Sequence, residues 1–114
     1  MIEVSKRQRL TVAQVQAAFR KLNAIPYRYT WNCTNAANQR QCCGMGAHLL
    51  ATRRRQPGDF LNVADEEFGE DYVQGFVAGW DDAIEMAQVF SARELEGHHD
   101  GRRAAAAMGL IENN

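Results

Sequence analysis

A bulky aromatic residue recurs at every fourth position from Phe68 through Tyr72 and Phe76 to Trp80, and Ile84 continues the row. At 3.6 residues per turn this spacing lays the side chains along one face of an α-helix, and it does not fit the two-residue alternation of a strand. Beside the row runs a stripe of small residues, Gly75, Gly79, Ala83 and Ala87. Each glycine inside a helix costs about 1 kcal/mol relative to alanine, so the stripe predicts that another helix approaches closely. Cys43, Ala47 and Ala51 form a matching ridge, with Met45, Leu49 and Leu50 beside it, and the two helices are expected to cross there. The long central helix is read as spanning about 65 to 90. Asp65, Glu66 and Glu67 would fill its first turn, where the helix dipole favours acids.

Other elements arrange themselves around that helix. Val12, Val15, Ala18, Phe19 and Leu22 make one apolar stripe, so residues 10 to 22 read as a helix with Thr11 as N-cap. Pro26 cannot continue it. Residues 27 to 32, aromatic and β-branched, read as a short extended segment or edge strand that lays Tyr27, Tyr29 or Trp31 on the core. Residues 33 to 41 are polar and read as a loop. Residues 42 to 52 read as a small-residue helix with Arg53, Arg54 and Arg55 at its C-terminal end. Pro57 and Gly58 form a turn. Ser91 with Glu94 three residues on is a capping-box pattern, so a fourth helix starts near Ala92; Gly97 and Gly101 leave open whether it is one helix to Met108 or two. The expectation is one all-α domain over residues 1–114, of about four helices, with at most a short extended segment at 27 to 31.

With 114 residues, the chain can bury one core without staples. No apolar run reaches the roughly 20 residues of a membrane span. The start carries Lys6, Arg7 and Arg9 with no apolar run behind them, and three cysteines cannot all pair within one chain; both features point to a cytoplasmic protein with reduced thiols. The formal net charge of -1 conceals a division. Residues 1 to 57 hold ten Lys/Arg against one acid, a net +9, and residues 58 to 114 hold three Arg against thirteen acids, a net -10. Either the halves fold together and neutralise, or one presents a charged face to a partner.

The acidic candidates for a protein-binding face are Asp59, Asp65, Glu66, Glu67, Glu70, Asp71, Asp81, Asp82 and Glu85. The alternative is nucleic-acid binding by Lys6, Arg7, Arg9, Arg20, Lys21, Arg28, Arg40, Arg53, Arg54 and Arg55, interleaved with Tyr27, Tyr29 and Trp31 for base stacking. A third reading is a metal or thiol site. Cys42 or Cys43 at a helix start would have an activated thiol, but His48 lies about 140° or 240° round the helix from them. Cys33, Cys42, Cys43, His48, His98 and His99 are numerous enough for zinc but lack the Cys-x-x-Cys spacing. Glu96-x-x-His99 is half of a di-iron pattern, present once. A solvated helix end explains that cluster more simply, and no cofactor is expected. Gly44-x-Gly46 is too short for a phosphate loop.

Cys43-Gly-Met-Gly-Ala, with Tyr72-Val-Gln-Gly-Phe-Val-Ala-Gly-Trp-Asp81, resembles a pattern in small bacterial and phage helical proteins: a Cys-x-x-Gly-Ala helix start, then Tyr-x-x-Gly-Phe-x-x-Gly-aromatic-Asp. The resemblance covers under half of the chain, has Gly44 where proline is expected, and implies no activity. The reading that results is a cytoplasmic, non-enzymatic binding or adaptor protein acting through charged surfaces on a protein partner or on a second copy of itself.

Overall fold

Thr11 starts the first helix as its sequence predicts: its hydroxyl accepts the Gln14 N–H and the Gln14 side chain accepts the Thr11 N–H, a reciprocal cap. The computed structural model describes residues 8–53, 58–81 and 91–110. Helix α1 is Val12–Leu22 and ends at Asn23, whose φ of 54° is the left-handed conformation that asparagine tolerates. Strands β1 (Ile25–Pro26), β2 (Cys33–Thr34) and β3 (Arg40–Cys42) follow, then helices α2 (Gly44–Thr52), α3 (Phe60–Phe68), α4 (Glu70–Trp80) and α5 (Ala92–Ala107). The described chain is thus mostly helical, with five helices where four were expected and a small sheet as well. No helix among the described residues is long and apolar enough to cross a membrane.

The sheet has the order β1-β3-β2, with β1 parallel and β2 antiparallel to β3. It flanks the segment expected to be extended instead of coinciding with it. The polar stretch read as a loop contains the β2–β3 hairpin, because the Asn35 carboxamide accepts the N–H groups of Ala37 and Gln39 and Asn38 turns the chain at φ 64°. Between β1 and β2 the backbone docks in place of the rings. The Trp80 indole donates to Tyr27 O at 2.8 Å, Tyr29 N–H donates to the Asp81 carboxylate at 3.0 Å, and Cys43 N–H donates to Thr30 O at 2.9 Å. Tyr29 sits at φ 63° and is 76% exposed, and Tyr27 is exposed too; only Trp31 packs inward, stacked on Phe60 at 5.8 Å.

The helix expected over 65 to 90 is broken at Gly69. Its φ of 93° and ψ of 144° lie outside helical values; its N–H closes α3 on Asp65 O, and its carbonyl opens α4 by accepting Val73 N–H. Asp59 caps α3 through Asn62 N–H. Asp65, Glu66 and Glu67 therefore occupy the C-terminal part of α3, and the acids in the first turn of α4 are Glu70 and Asp71. Residues 82–90, including Ile84, Ala83 and Ala87, lie outside the described residues.

The aromatic row forms the core. Phe68, Tyr72, Phe76 and Trp80 are fully buried, their rings follow one another at 5.5 to 6.5 Å, and Phe19 of α1 stacks on Trp80 at 6.0 Å. The small-residue stripe does meet another helix closely, but that helix is α5. A Cβ on Gly75 or Gly79 would come within 3.0 Å of the Glu94 or His98 backbone, and a Cβ on Gly97 or Gly101 within 3.0 Å of the Tyr72, Phe76 or Trp80 backbone. The two helices share one reciprocal glycine interface. Gly97 and Gly101 are what let α5 run as a single helix along α4. The ridge of Cys43, Ala47 and Ala51 belongs to α2, which lies mainly against α1. Gly44 and Gly46 also have packing reasons: a Cβ on Gly44 would reach the Trp80 ring at 2.8 Å, and one on Gly46 would meet the Trp31 backbone.

Candidate functional site

Several of the charges that the sequence separates are joined by the fold. Arg9 grips Asp100 of α5 with two nitrogens at 2.8 and 2.9 Å. Tyr72 donates its hydroxyl proton to the same carboxylate at 2.6 Å and accepts Leu10 N–H at 2.7 Å. Burial works against the Asp100 charge, but hydrogen bonds from Arg9 and Tyr72 outweigh it and hold the carboxyl below its ordinary value. Burial, with the bond to Asp100, raises Tyr72. Arg93 lies over the Tyr72 ring at 4.6 Å and donates to Gln8 O, Phe68 O and Glu96. This network straps the segment before α1 across α4 and α5.

A second cluster joins α2 to α3. His48, 5% exposed, places Nε2 at 2.9 Å from Glu67 Oε2, while Arg53 donates to Glu67 Oε1 at 2.8 Å. Phe68 meets the imidazole edge-on at 5.5 Å. A cleft of about 470 Å³ opens here, walled by Gln8, Thr52, Arg53 and Glu66 as well as the pair. His48 and Thr52 also line a smaller compartment of about 240 Å³, together with Gln14, Ala17, Ala18, Lys21 and Ala51. The sequence offers His48 as a partner for the thiols or a zinc ligand and Glu67 as a first-turn acid of a protein-binding face, and nothing in it pairs the two. An imidazole within the apolar run Gly44–Thr52 was the one available signal, because a buried polar ring must find a partner.

The acidic candidates divide. Glu66, Glu70 and Asp71 are exposed, as is Asp59 at its cap. Leu61, 48% exposed, lies on the same helix as Glu66. Asp65 is half-buried with one oxygen lacking a described partner, and burial, followed by Glu70 and Asp59, raises its pKa. Glu67 is held by His48 and Arg53. Asp81 is 8% exposed and takes Tyr29 N–H, so it belongs to the interior; burial raises its pKa, with Tyr29 N–H and Arg28 opposing. Asp82 and Glu85 lie outside the described residues.

Among the basic candidates, Arg9 and Arg53 hold carboxylates. Lys21 donates to Ala51 O at 2.6 Å and Arg28 to Leu110 O at 2.9 Å. Arg20 is exposed and Arg40 half-buried; Lys6, Arg7, Arg54 and Arg55 lie outside the described residues. Of the described residues of the interleaved set, Arg28 reaches Leu110 O and Trp31 turns inward, while Tyr27 and Tyr29 are exposed.

Cys43 is the N-cap of α2, its sulfur accepting Gly46 N–H at 3.3 Å. Burial pushes the Cys43 thiol up to about 12 and the Cys42 thiol up to about 11, the reverse of an activated nucleophile. Cys33 alone of the three is exposed. Titration of the folded protein with a disulfide reagent at neutral pH is expected to modify one thiol per chain, and three after denaturation; rapid native modification of two or more would contradict this packing. Among the described residues no three His, Cys, Asp or Glu side chains converge as a metal ion requires. His98 and His99 sit in the middle of α5, not at a helix end, and Glu96 pairs with Arg93 and Arg9.

Compared with family models, with curated proteins and with solved structures, the chain matches none.

Proposed function

We propose that this chain is a non-enzymatic binding or adaptor protein of the cytoplasm, and that it engages a protein partner through the acidic edge of α3 and the start of α4. The observation that carries the reading is the uneven fate of the charges. Arg9, Lys21, Arg28 and Arg53 are turned onto acceptors of their own chain, whereas Asp59 and Glu66 of α3, which also presents Leu61, and Glu70 and Asp71 at the start of α4 remain exposed. A surface that offers exposed acids and an exposed leucine suits a partner that offers basic and apolar residues. Complementary charge also steers the encounter, so the association should weaken as salt screens it.

The test is size exclusion coupled to light scattering at about 50 mM and about 500 mM salt, with poly-lysine or with a random oligonucleotide as probe. The expected result is a salt-sensitive complex with poly-lysine that weakens roughly tenfold in the triple variant E66Q/E70Q/D71N, the order of loss for removing interfacial charges. A shift with the oligonucleotide and none with poly-lysine would overturn the reading and assign function to the basic half. A salt-sensitive oligomer of the chain alone would make the partner a second copy.

A further inference from the structure

We infer that the peptide between Arg28 and Tyr29 is a two-position latch, held by the Asp81 carboxylate and turned over when that group takes up a proton. Two observations meet at this peptide. Tyr29 sits at φ 63°, a left-handed conformation that bulky residues rarely adopt and that the surrounding structure must hold. The hold comes from one residue at the end of α4: Tyr29 N–H donates to Asp81 Oδ1 at 3.0 Å, and the Tyr29 hydroxyl donates to Asp81 O at 3.2 Å. On either side the chain is anchored. Tyr27 N–H donates to Cys42 O and Tyr27 O accepts the Trp80 indole N–H, the Arg28 guanidinium donates to Leu110 O, and Thr30 O accepts Cys43 N–H. The peptide between these anchors can turn over without moving them, and the Tyr29 ring is exposed, so no core packing resists the turn.

Turning the peptide over exchanges its two polar edges. Tyr29 passes to negative φ, its N–H leaves Asp81, and Arg28 O takes the place of that N–H. An ionised carboxylate only accepts hydrogen bonds, whereas a protonated one also donates through its O–H. The ionised form therefore selects the Tyr29 N–H and sustains the strained φ; the protonated form donates to Arg28 O, and the strain is relieved in the same movement. Asp81 is buried, and burial raises its carboxyl pKa although the Tyr29 N–H and Arg28 oppose this, so the latch turns at a higher pH than an ordinary aspartate would set. Among the described residues, the other titratable groups that face Asp81 are Arg28, Tyr29 and, from α2, Cys43, and each keeps one charge throughout the acid range.

NMR of the whole ¹⁵N-labelled chain, titrated from neutral pH to about pH 4, reads the latch directly. At positive φ the amide and α protons of one residue face each other, so the NOE within Tyr29 is strong in the held position and weak after the turn. The expected result is a reversible, severalfold weakening of this NOE as pH falls, with a midpoint above the ordinary aspartate value, while the Trp80 indole resonance stays in place. Asp81→Asn carries both an amide donor and a carbonyl at every pH, as the protonated acid does, and should show the weak NOE already at neutral pH with no titration. A strong Tyr29 NOE across the wild-type titration, or in Asp81→Asn at neutral pH, would overturn the latch. Weakening that comes only together with a shift of the Trp80 indole would overturn it too, because the anchors would then be letting go with the peptide.

Discussion

Replacing Gly97 by alanine is expected to lower the stability of the protein by about 3 kcal/mol, although alanine is the better helix former by about 1 kcal/mol. The two effects have opposite signs, and the contact geometry decides between them. A methyl group on Gly97 would meet the carbonyl of Tyr72 and the amide of Phe76, which are backbone atoms of α4 and cannot rotate aside. The helices would have to separate, and Tyr72, Phe76 and Trp80 would lose part of their packing along the whole interface. Gly79→Leu is the stronger form of the experiment, because a domain of this size has only about 5–15 kcal/mol to lose. Urea denaturation followed by tryptophan fluorescence reads both. An unchanged or higher midpoint for Gly97→Ala would mean that α4 and α5 do not pack as described.

Asp100→Ala should be nearly as damaging, at about 2–3 kcal/mol, because it leaves the Tyr72 hydroxyl without its acceptor and the Arg9 guanidinium with only the longer contact to Glu96. The figure is set below that of a fully buried pair because the Arg9 side chain is 46% exposed. Arg9→Ala and the double variant complete a cycle, in which a coupling near 1 kcal/mol or more would show that the two act together. The pH dependence has a definite sign. Asp100 is held below its ordinary value, so its contribution is fully present above the unfolded carboxyl pKa and is lost as pH falls through the lower folded value. The gap between wild type and Asp100→Ala should therefore be constant near neutrality and close in acid. Asp65 and Asp81, both raised, act in the opposite direction: their ionisation costs stability as pH rises through the acid range. A gap that persists undiminished at the acid end would show that Asp100 contributes through packing and not through its charge.

How much of the site was legible follows from how local each signal is. Thr11 and Ser91 announce their helices because a cap is a contact between residues three apart, and both caps form where the pattern puts them. The start of α3 had a comparable signal in Asp59, followed by Phe60, Val63, Ala64 and Phe68, but the nearby Pro57-Gly58 turn and the acids at 65 to 67 pointed to a later start. The His48–Glu67–Arg53 cluster had almost none, since it joins residues 14 and 19 positions apart on different helices.

Two properties came from the chain's own pattern. The spacing of Tyr72, Phe76 and Trp80 had to become the buried face of a helix, because no other backbone geometry brings side chains at that spacing onto one side, whereas Phe68 joins the row from α3 across the break at Gly69. Glycines at four-residue intervals likewise had to mark a close helix contact, because nothing else offsets their cost. Which helix makes that contact was a tertiary matter. Two small-residue ridges could meet the α4 stripe, Cys43–Ala47–Ala51 and Gly97–Gly101, and local sequence does not rank them. The choice falls on the glycines because only they allow backbone to meet backbone in both directions, while α2, which carries the other ridge, lies mainly against α1. The break at Gly69 was decided at the same level: a helix carried through that point would continue α3 along the axis of α4, whereas the turn at φ 93° sets Glu67 against His48 and keeps Phe68 in the core.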